Sequence, residues 1–567
     1  MAADSRRIAG RRLAPEDVFG LLLVLLLAWL VCYPLAITLA EALSAPNWSL
    51  RHFAEFAKRP DEWHALWASV WISLATVGLA AAIGVPLAFL FERTDFPGRR
   101  TLAALVALPV VLPPLVGVVA FLFLYGESGF LSRAVQAVLR LDAPPWRLSG
   151  PGAILLVHAY SMYVYFYLFT RAGLARLDDA YREAAAALGA GPVRTLWRVT
   201  LPLLRPALAG AALLTFLTSL SSFSAPYLFG GTFRVLTTQI LFSRLNGDVA
   251  MSMVETSALA AVALASLFFL LRAEARREAV ERSGGLGGVR GIAPARRRLG
   301  SSRFLVAALG WLLAVWLLLP HATLALVSLV PPGTWTEQTL PPVLSFANYR
   351  SLFSEPERLR PIVNSLWMAL VSTAAALAIG TGAAWLAVTR RTRGRSAIEA
   401  LIGMPWALPG TVFAVALAAT FSLHAPWAGR FVLVGTAAIL PLAYFLRGLP
   451  LAGRAAFAGL RQIDPALDEA AASLGAGAGR RFRRITLPLL APALAAGASL
   501  AFLTALGDFV VSIVLYTFET RPISIEILSS LRMQEVGAAA AYGILLALLS
   551  AAAFLLWGSR TDSARGG

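Results

Sequence analysis

Apolar stretches close to the thickness of a bilayer recur along this chain, and they leave it few ways to fold. A membrane core needs about 20 apolar residues per helix. Twelve segments approach that length, here numbered span one to span twelve: Leu21–Thr38, Leu66–Phe91, Leu102–Leu124, Ile154–Phe169, Leu208–Phe223, Ser257–Leu271, Phe304–Val330, Ser365–Val388, Ile398–Leu423, Phe431–Leu446, Leu494–Val510 and Val536–Trp557. Hydrophobic residues make up 58% of the 567 and charged ones 14%, against roughly 45–50% and 25% in soluble domains. That balance excludes a soluble enzyme, a secreted disulfide scaffold and a disordered chain. Cys32 is the single cysteine, so neither an intrachain disulfide nor a cysteine-rich metal site can form. The five histidines are scattered, without metal-ligand spacing. No paired acids, Ser/His set or metal ligands stand at helical spacing within the spans, so an intramembrane enzyme is not expected.

Charge orients the spans. With both termini on the cytoplasmic side, the inner segments hold 35 of the 49 basic residues and 16 of the 31 acidic ones. The inside is then strongly positive and the outside near neutral, as the positive-inside rule requires. The net charge of +18 is thereby explained without nucleic acid. Val18 to Ala40 is too long for a signal peptide's apolar region, so it reads as an uncleaved first span.

The chain repeats itself. Glu183-Ala-Ala-Ala-Ala-Leu-Gly-Ala-Gly and Thr200-Leu-Pro-Leu-Leu-Arg-Pro-Ala-Leu208 recur 286 residues later, from Glu469 to Leu494, with 18 of 26 positions identical. Phe223 falls on Phe509 at that offset. Upstream, at an offset of 296, Ser69, Trp71, Gly84, Pro109 and Pro113 fall on Ser365, Trp367, Gly380, Pro405 and Pro409. The expected fold class is therefore all-α: a polytopic membrane protein of about 12 transmembrane helices in two homologous six-helix halves. The expected domains are residues 1–64 (tail, first span and outer loop), 65–272 (first half), 273–302 (Gly- and Arg-rich cytoplasmic linker), 303–360 (seventh span and outer loop), 361–557 (second half) and 558–567 (tail).

The repeated motif lies between the fourth and fifth spans of each half. Glu-Ala-Ala-Ala favours helix, Gly189 and Gly475 break it and allow a sharp turn, and Leu-Pro opens the next span. A short helix held against two spans can pass a push from a partner into both of them. This motif, in both copies, resembles the EAA loop of permease subunits of type I ABC importers. The resemblance covers about Ala65–Arg272 and Pro361–Trp557, and fusion of two permease domains is similar to the ferric-iron and thiamine branches. It implies that Glu183, Ala184, Ala185 and Gly189, with Glu469, Ala470, Ala471 and Gly475, form two coupling helices, each docking on an ATPase subunit. It also implies a periplasmic or lipid-anchored solute-binding protein and a place in the bacterial inner membrane. Lys58, in an outer loop, is the only lysine, so the chain has no P-loop; ATP has to be bound by partner subunits, and no cofactor is expected in this chain.

Three features point to a solute path. Asp508 lies near the outer end of span eleven, opposite Ser222 in the first half; it either faces the path and attracts a cation, or caps a helix or pairs with an arginine. Tyr160, Tyr163 and Tyr167 share one face of span four, to line the path or to pack. Prolines interrupt the third span of each half, as broken helices around a transport path do. Phe233–Ile240 and Tyr516–Gly543 resemble the iron branch most, with thiamine and aminoethylphosphonate as alternatives. An ion-gradient-driven transporter is the alternative of another class.

Overall fold

The computed structural model describes residues 15–562, apart from 44–47, 111–112, 284–296, 299, 336–339, 391, 393 and 423–430. The centre of the expected linker and both extreme termini therefore lie outside the described residues. The fold is helical; the two strands among the described residues, Thr94–Asp95 and Arg297–Arg298, are two residues each and pair in parallel.

Ten helices among the described residues are long and apolar enough to cross a membrane. An eleventh is span nine, made of Arg395–Ala407 and Gly410–Thr420, which meet at a bend of 109°. The twelfth differs from expectation. Span ten is not Phe431–Leu446 but the 24-residue helix Ile439–Gln462, and residues 431–438 form turns before it. Arg447 and Arg454, expected in the following loop, lie inside this helix. Its sides are buried by neighbouring helices over most of their length, so it needs no continuous lipid-facing apolar surface and tolerates these charges.

Span five also starts earlier than expected, as a continuous stretch from Pro192 to Leu220. The cause is visible at the repeated Leu-Pro. Pro202 has no N–H, so an α-helical carbonyl one turn back loses its partner. The chain answers with a π-turn over Leu196–Thr200, closed by the Leu201 N–H donating to the Leu196 carbonyl. Pro488 has the same π-turn, over Phe482–Thr486. A π-turn next to a proline lets the helix continue through the residue that would otherwise end it.

The halves follow the same plan. In each, the second helix packs on the fourth and on the fifth: Pro60–Arg93 with Gly150–Leu174 and Leu201–Leu220, and Pro356–Ala384 with Ile439–Gln462 and Leu487–Leu506. Gly84 and its counterpart Gly380 permit the closest of these approaches. A Cβ on Gly84 would stand 2.3 Å from the Tyr163 carbonyl oxygen, and one on Gly380 2.9 Å from the Gly453 nitrogen. Ser69 accepts the Leu236 N–H at 2.7 Å, and its counterpart Ser365 accepts the Ile523 N–H at 2.8 Å. By this point the spacing between equivalent residues has slipped from 286 to 287.

The leading spans are exchanged. Span one, Asp17–Ala42, packs on broken span nine of the second half and on span six. Span seven, Ser302–Ser328, packs on broken span three of the first half and on span twelve. Span three consists of Arg99–Ala107, a short turn at Leu108–Val110, and Pro114–Tyr125. Trp29 of span one meets Phe421 edge-on at 5.7 Å, and Gly310 of span seven lies against Leu102.

Gly84→Val should overpack the contact between spans two and four at a backbone atom and cost about 1–3 kcal/mol. Gly78 is on the same helix with nothing within 4 Å of an added Cβ, so Gly78→Ala should be tolerated. Thermal unfolding midpoints of the two detergent-solubilised variants check this; equal midpoints would contradict the packing described.

Candidate functional site

The two repeated loops fold alike. In the first, the helix Ala180–Ala187 ends at Leu188, and Gly189 turns back with φ +75°. The Gly189 N–H donates to the Ala186 carbonyl and the Ala190 N–H to Ala185, each at 2.9 Å. In the second, the helix Pro465–Ser473 ends at Leu474, Gly475 has φ +79°, and the N–H groups of Gly475 and Ala476 donate to Ala472 and Ala471. This is a Schellman termination, with glycine at the one position whose left-handed backbone an L side chain resists. Nothing stands within 4 Å of an added Cβ at either glycine, so the requirement is conformational rather than steric.

The motif residues divide by direction. Glu183, Ala184, Glu469 and Ala470 are exposed, whereas Ala185 is buried and Ala471 half-buried. Sequence reasoning overlooked two pairs of exposed apolar residues. Leu188 and Leu474 are 88% and 89% exposed, and Tyr181 and Leu467 precede them by seven residues on the same face. The signal was an apolar pair at i and i+7 bracketing each motif. Each loop is anchored in its own way. Asp179 pairs with Arg93, at the end of span two, at 2.6 Å, whereas Asp468 pairs with Arg481, on the following helix, at 2.9 Å. Arg481 also donates to the Ala476 carbonyl.

At the other end of spans five and eleven the halves touch. Phe223 and Phe509, equivalent residues, are 1% and 2% exposed with ring centroids 5.7 Å apart. Equivalent residues in mutual contact lie on the axis that relates the halves. Tyr227 stacks on Phe223, and Pro113, at the break of span three, closes against Gly507. The helix Leu201–Leu220 separates this contact from the first loop by about 30 Å.

Each half places a polar cluster beside the aromatic contact. The Asp508 carboxylate accepts the Val511 N–H at 2.8 Å, which caps the next short helix, and pairs with Arg447 at 2.9 Å. Gly410 makes room: a Cβ there would stand 2.2 Å from Arg447 Nη1. Ser222, its counterpart, has its hydroxyl 2.8 Å from His158 Nε2, and the other ring nitrogen lies 3.2 Å from both Thr76 and Ser219. Tyr163 is buried, and its hydroxyl donates to the Val106 carbonyl at 2.6 Å, tying span four to span three. Tyr167 does the same to Ala103 at 3.3 Å. The structure thus brings Asp508 and Ser222 to the contact between halves, and places Tyr163 in the wall of the first half.

The geometry is two similar bundles around one axis, each with a glycine-terminated helix between its fourth and fifth spans. The family model described as "Binding-protein-dependent transport system inner membrane component" matches this chain twice, at residues 76–281 and 376–558, and the chain belongs to that family. It is a multi-pass membrane permease of the ABC importer type with two permease domains in one chain, which sets aside the ion-gradient alternative. Among its relatives, the probable ABC transporter permease protein y4fN of Sinorhizobium fredii is 30% identical over 521 residues, 90% of each chain. The ferric transport system permease protein FbpB of Actinobacillus pleuropneumoniae is 27% identical, covering 87% of this chain and 70% of that one. The Fe(3+)-transport system permease protein FbpB 2 of Haemophilus influenzae is 26% identical, covering 93% and 96%.

Removing Arg447 would strand a buried carboxylate. Arg447→Met should therefore cost about 3–5 kcal/mol of stability, and adding Asp508→Asn should recover most of it. Unfolding of the single and double variants tests the pair; no recovery in the double variant would show that Arg447 acts through something else.

Proposed function

We propose that this chain forms the path by which ferric iron crosses the inner membrane, driven by two ATPase subunits that bind and hydrolyse ATP outside it. The observation that carries the reading is the duplicated loop: two helices of one design, each ending on a left-handed glycine and presenting a bare leucine and tyrosine or leucine face. Apolar side chains so exposed at equivalent places are what a docking partner would cover. Glu183 and Glu469 flank those faces and are available to its cations. The basic excess supports placing the loops and both termini in the cytoplasm, with the solute-binding protein delivering to the opposite face. The two permease domains are taken as 65–272 and 361–557.

Coupling follows from the covalent layout. Each loop continues through a π-turn directly into span five or eleven, and those spans end at the Phe223–Phe509 contact. A displacement of the loops by ATPase closure tilts both spans and parts the aromatic pair. Asp508 and Ser222 then border the opened path, and Tyr163 keeps its wall rigid. Ferric iron is favoured by the relatives whose names specify it and that match this chain over 87% and 93% of its length.

The test is uptake of radioactive ferric iron into proteoliposomes holding the chain, its ATPase and its binding protein. Gly189→Val together with Gly475→Val should leave the chain inserted but lower ATP-driven uptake at least about tenfold, equivalent to about 1.4 kcal/mol. Each single variant should fall between. Unchanged uptake by the double variant would overturn the coupling role. Coupled uptake of another solute with none of iron would overturn the substrate.

A further inference from the structure

Two carboxyl groups face each other inside the first half, at the end of the bundle away from the repeated loops. Glu62 stands at the start of Pro60–Arg93 and Glu255 near the start of Val249–Ser283. They are 2% and 0% exposed. Each has one oxygen satisfied by a neutral donor from the helix Leu236–Leu245. The Gln239 amide donates to Glu62 Oε1 at 3.2 Å, and the Ser243 hydroxyl donates to Glu255 Oε1 at 2.5 Å. The second oxygen of each, Oε2, has no hydrogen-bond partner among the described residues, and neither carboxyl joins an ion pair among them.

Two carboxylates that have lost their water and stand side by side need positive charge between them. One proton shared by the pair would still leave a buried negative charge. The basic residues of the neighbouring segments are engaged elsewhere. Arg59 pairs with Asp248 at 3.1 Å, Arg234 donates to the Gln239 amide oxygen at 3.2 Å, and Arg244 interacts with Glu41 of span one.

The second half answers the same need with a side chain. At the offset of 296, Glu62 corresponds to Arg358; at 287, Asp248 corresponds to Glu535 and Glu255 to Tyr542. The register holds in the structure, because Arg521, the counterpart of Arg234, reaches Glu526, the counterpart of Gln239, at 2.8 Å. There the Arg358 guanidinium pairs with Glu535 at 2.9 Å and with Glu355 at 2.8 Å. The Tyr542 hydroxyl donates to the Arg358 carbonyl at 2.6 Å. Each of these acids meets a guanidinium. In the first half the position of that guanidinium is itself a carboxylate, and a second carboxylate takes the place of the tyrosine.

We propose that Glu62 and Glu255 hold a resident divalent cation of the hard, oxygen-seeking class, with the Ser243 hydroxyl and water completing its shell. Mg²⁺, Ca²⁺ and Mn²⁺ share this preference for carboxylate, hydroxyl and water oxygens. The ion ties the start of span two to the start of span six, as Arg358 ties the corresponding helices of the second half. It is separate from the solute carried, so its test does not depend on the substrate.

The experiment is equilibrium binding of Mn²⁺ to the chelator-treated, detergent-solubilised full chain, read by electron paramagnetic resonance, with Mg²⁺ and Ca²⁺ as competitors. One tightly bound Mn²⁺ per chain is expected. Glu62→Gln and Glu255→Gln should each weaken its binding at least about tenfold, equivalent to about 1.4 kcal/mol. Glu62→Arg together with Glu255→Tyr installs the arrangement of the second half. It should leave the chain folded with no bound ion, and chelator should lower the unfolding midpoint of the native chain but not of this variant. That comparison keeps the test decisive where a glutamine variant fails to fold. No divalent ion bound and no response of the native chain to chelator would overturn the site. So would Mn²⁺ binding that none of these substitutions alters, or retention of iron from ferric citrate without any divalent ion.

Discussion

No water reaches the hydrocarbon core of a bilayer, so each peptide N–H and C=O released by a proline or a break must find its partner inside the protein. The rest of this structure follows from where those breaks fall. Spans three and nine are each interrupted, and each is covered by a leading span from the opposite half. Spans five and eleven meet a proline where they enter the bundle and continue through a π-turn. Exchange of the leading spans and the π-turns are therefore two answers to one constraint. The first shields an interrupted backbone, and the second removes the interruption.

Similar backbones carry different chemistry in the two halves. Beside the aromatic contact, the second half has the Asp508–Arg447 pair and the first a set of hydroxyls around His158. At the loops, Arg93 clamps the helix Ala180–Ala187 to span two, whereas Arg481 clamps the helix Pro465–Ser473 to its own continuation. The counterparts of Arg93 and Asp179 are Thr389 and Pro465, and those of Asp468 and Arg481 are Arg182 and Thr195, so neither clamp could be formed in the other half. The first loop is thus tied to two spans and the second mainly to one.

The helices were legible because lipid demands apolar runs of a set length. The glycine turns were legible too, since helix formers followed by glycine leave the backbone one common way to end. Arg447 was not: a charge after an apolar run reads as a loop, and only a partner 61 residues further on, together with Gly410, holds it half-buried within a helix. Nor does any local pattern announce that span one packs on span nine, because that contact depends on which interrupted helix is left uncovered. Leu188 and Leu474 stood in plain view, but an apolar residue in an apolar chain draws notice only when the fold leaves it bare.

The exchange of leading spans has a consequence for biogenesis. Gly20 rests on Thr392, so span one waits for more than half the chain to emerge before meeting its final neighbour. At about 5–20 residues per second, that delay is roughly 20–70 s. For most of it, until Ser302–Ser328 has emerged, the nascent first half has no leading span against the break of span three. The bundle therefore closes late and as a whole. Carrying both halves on one polypeptide keeps the waiting spans tethered at high effective concentration, which two separate chains meeting by diffusion in the membrane would lack.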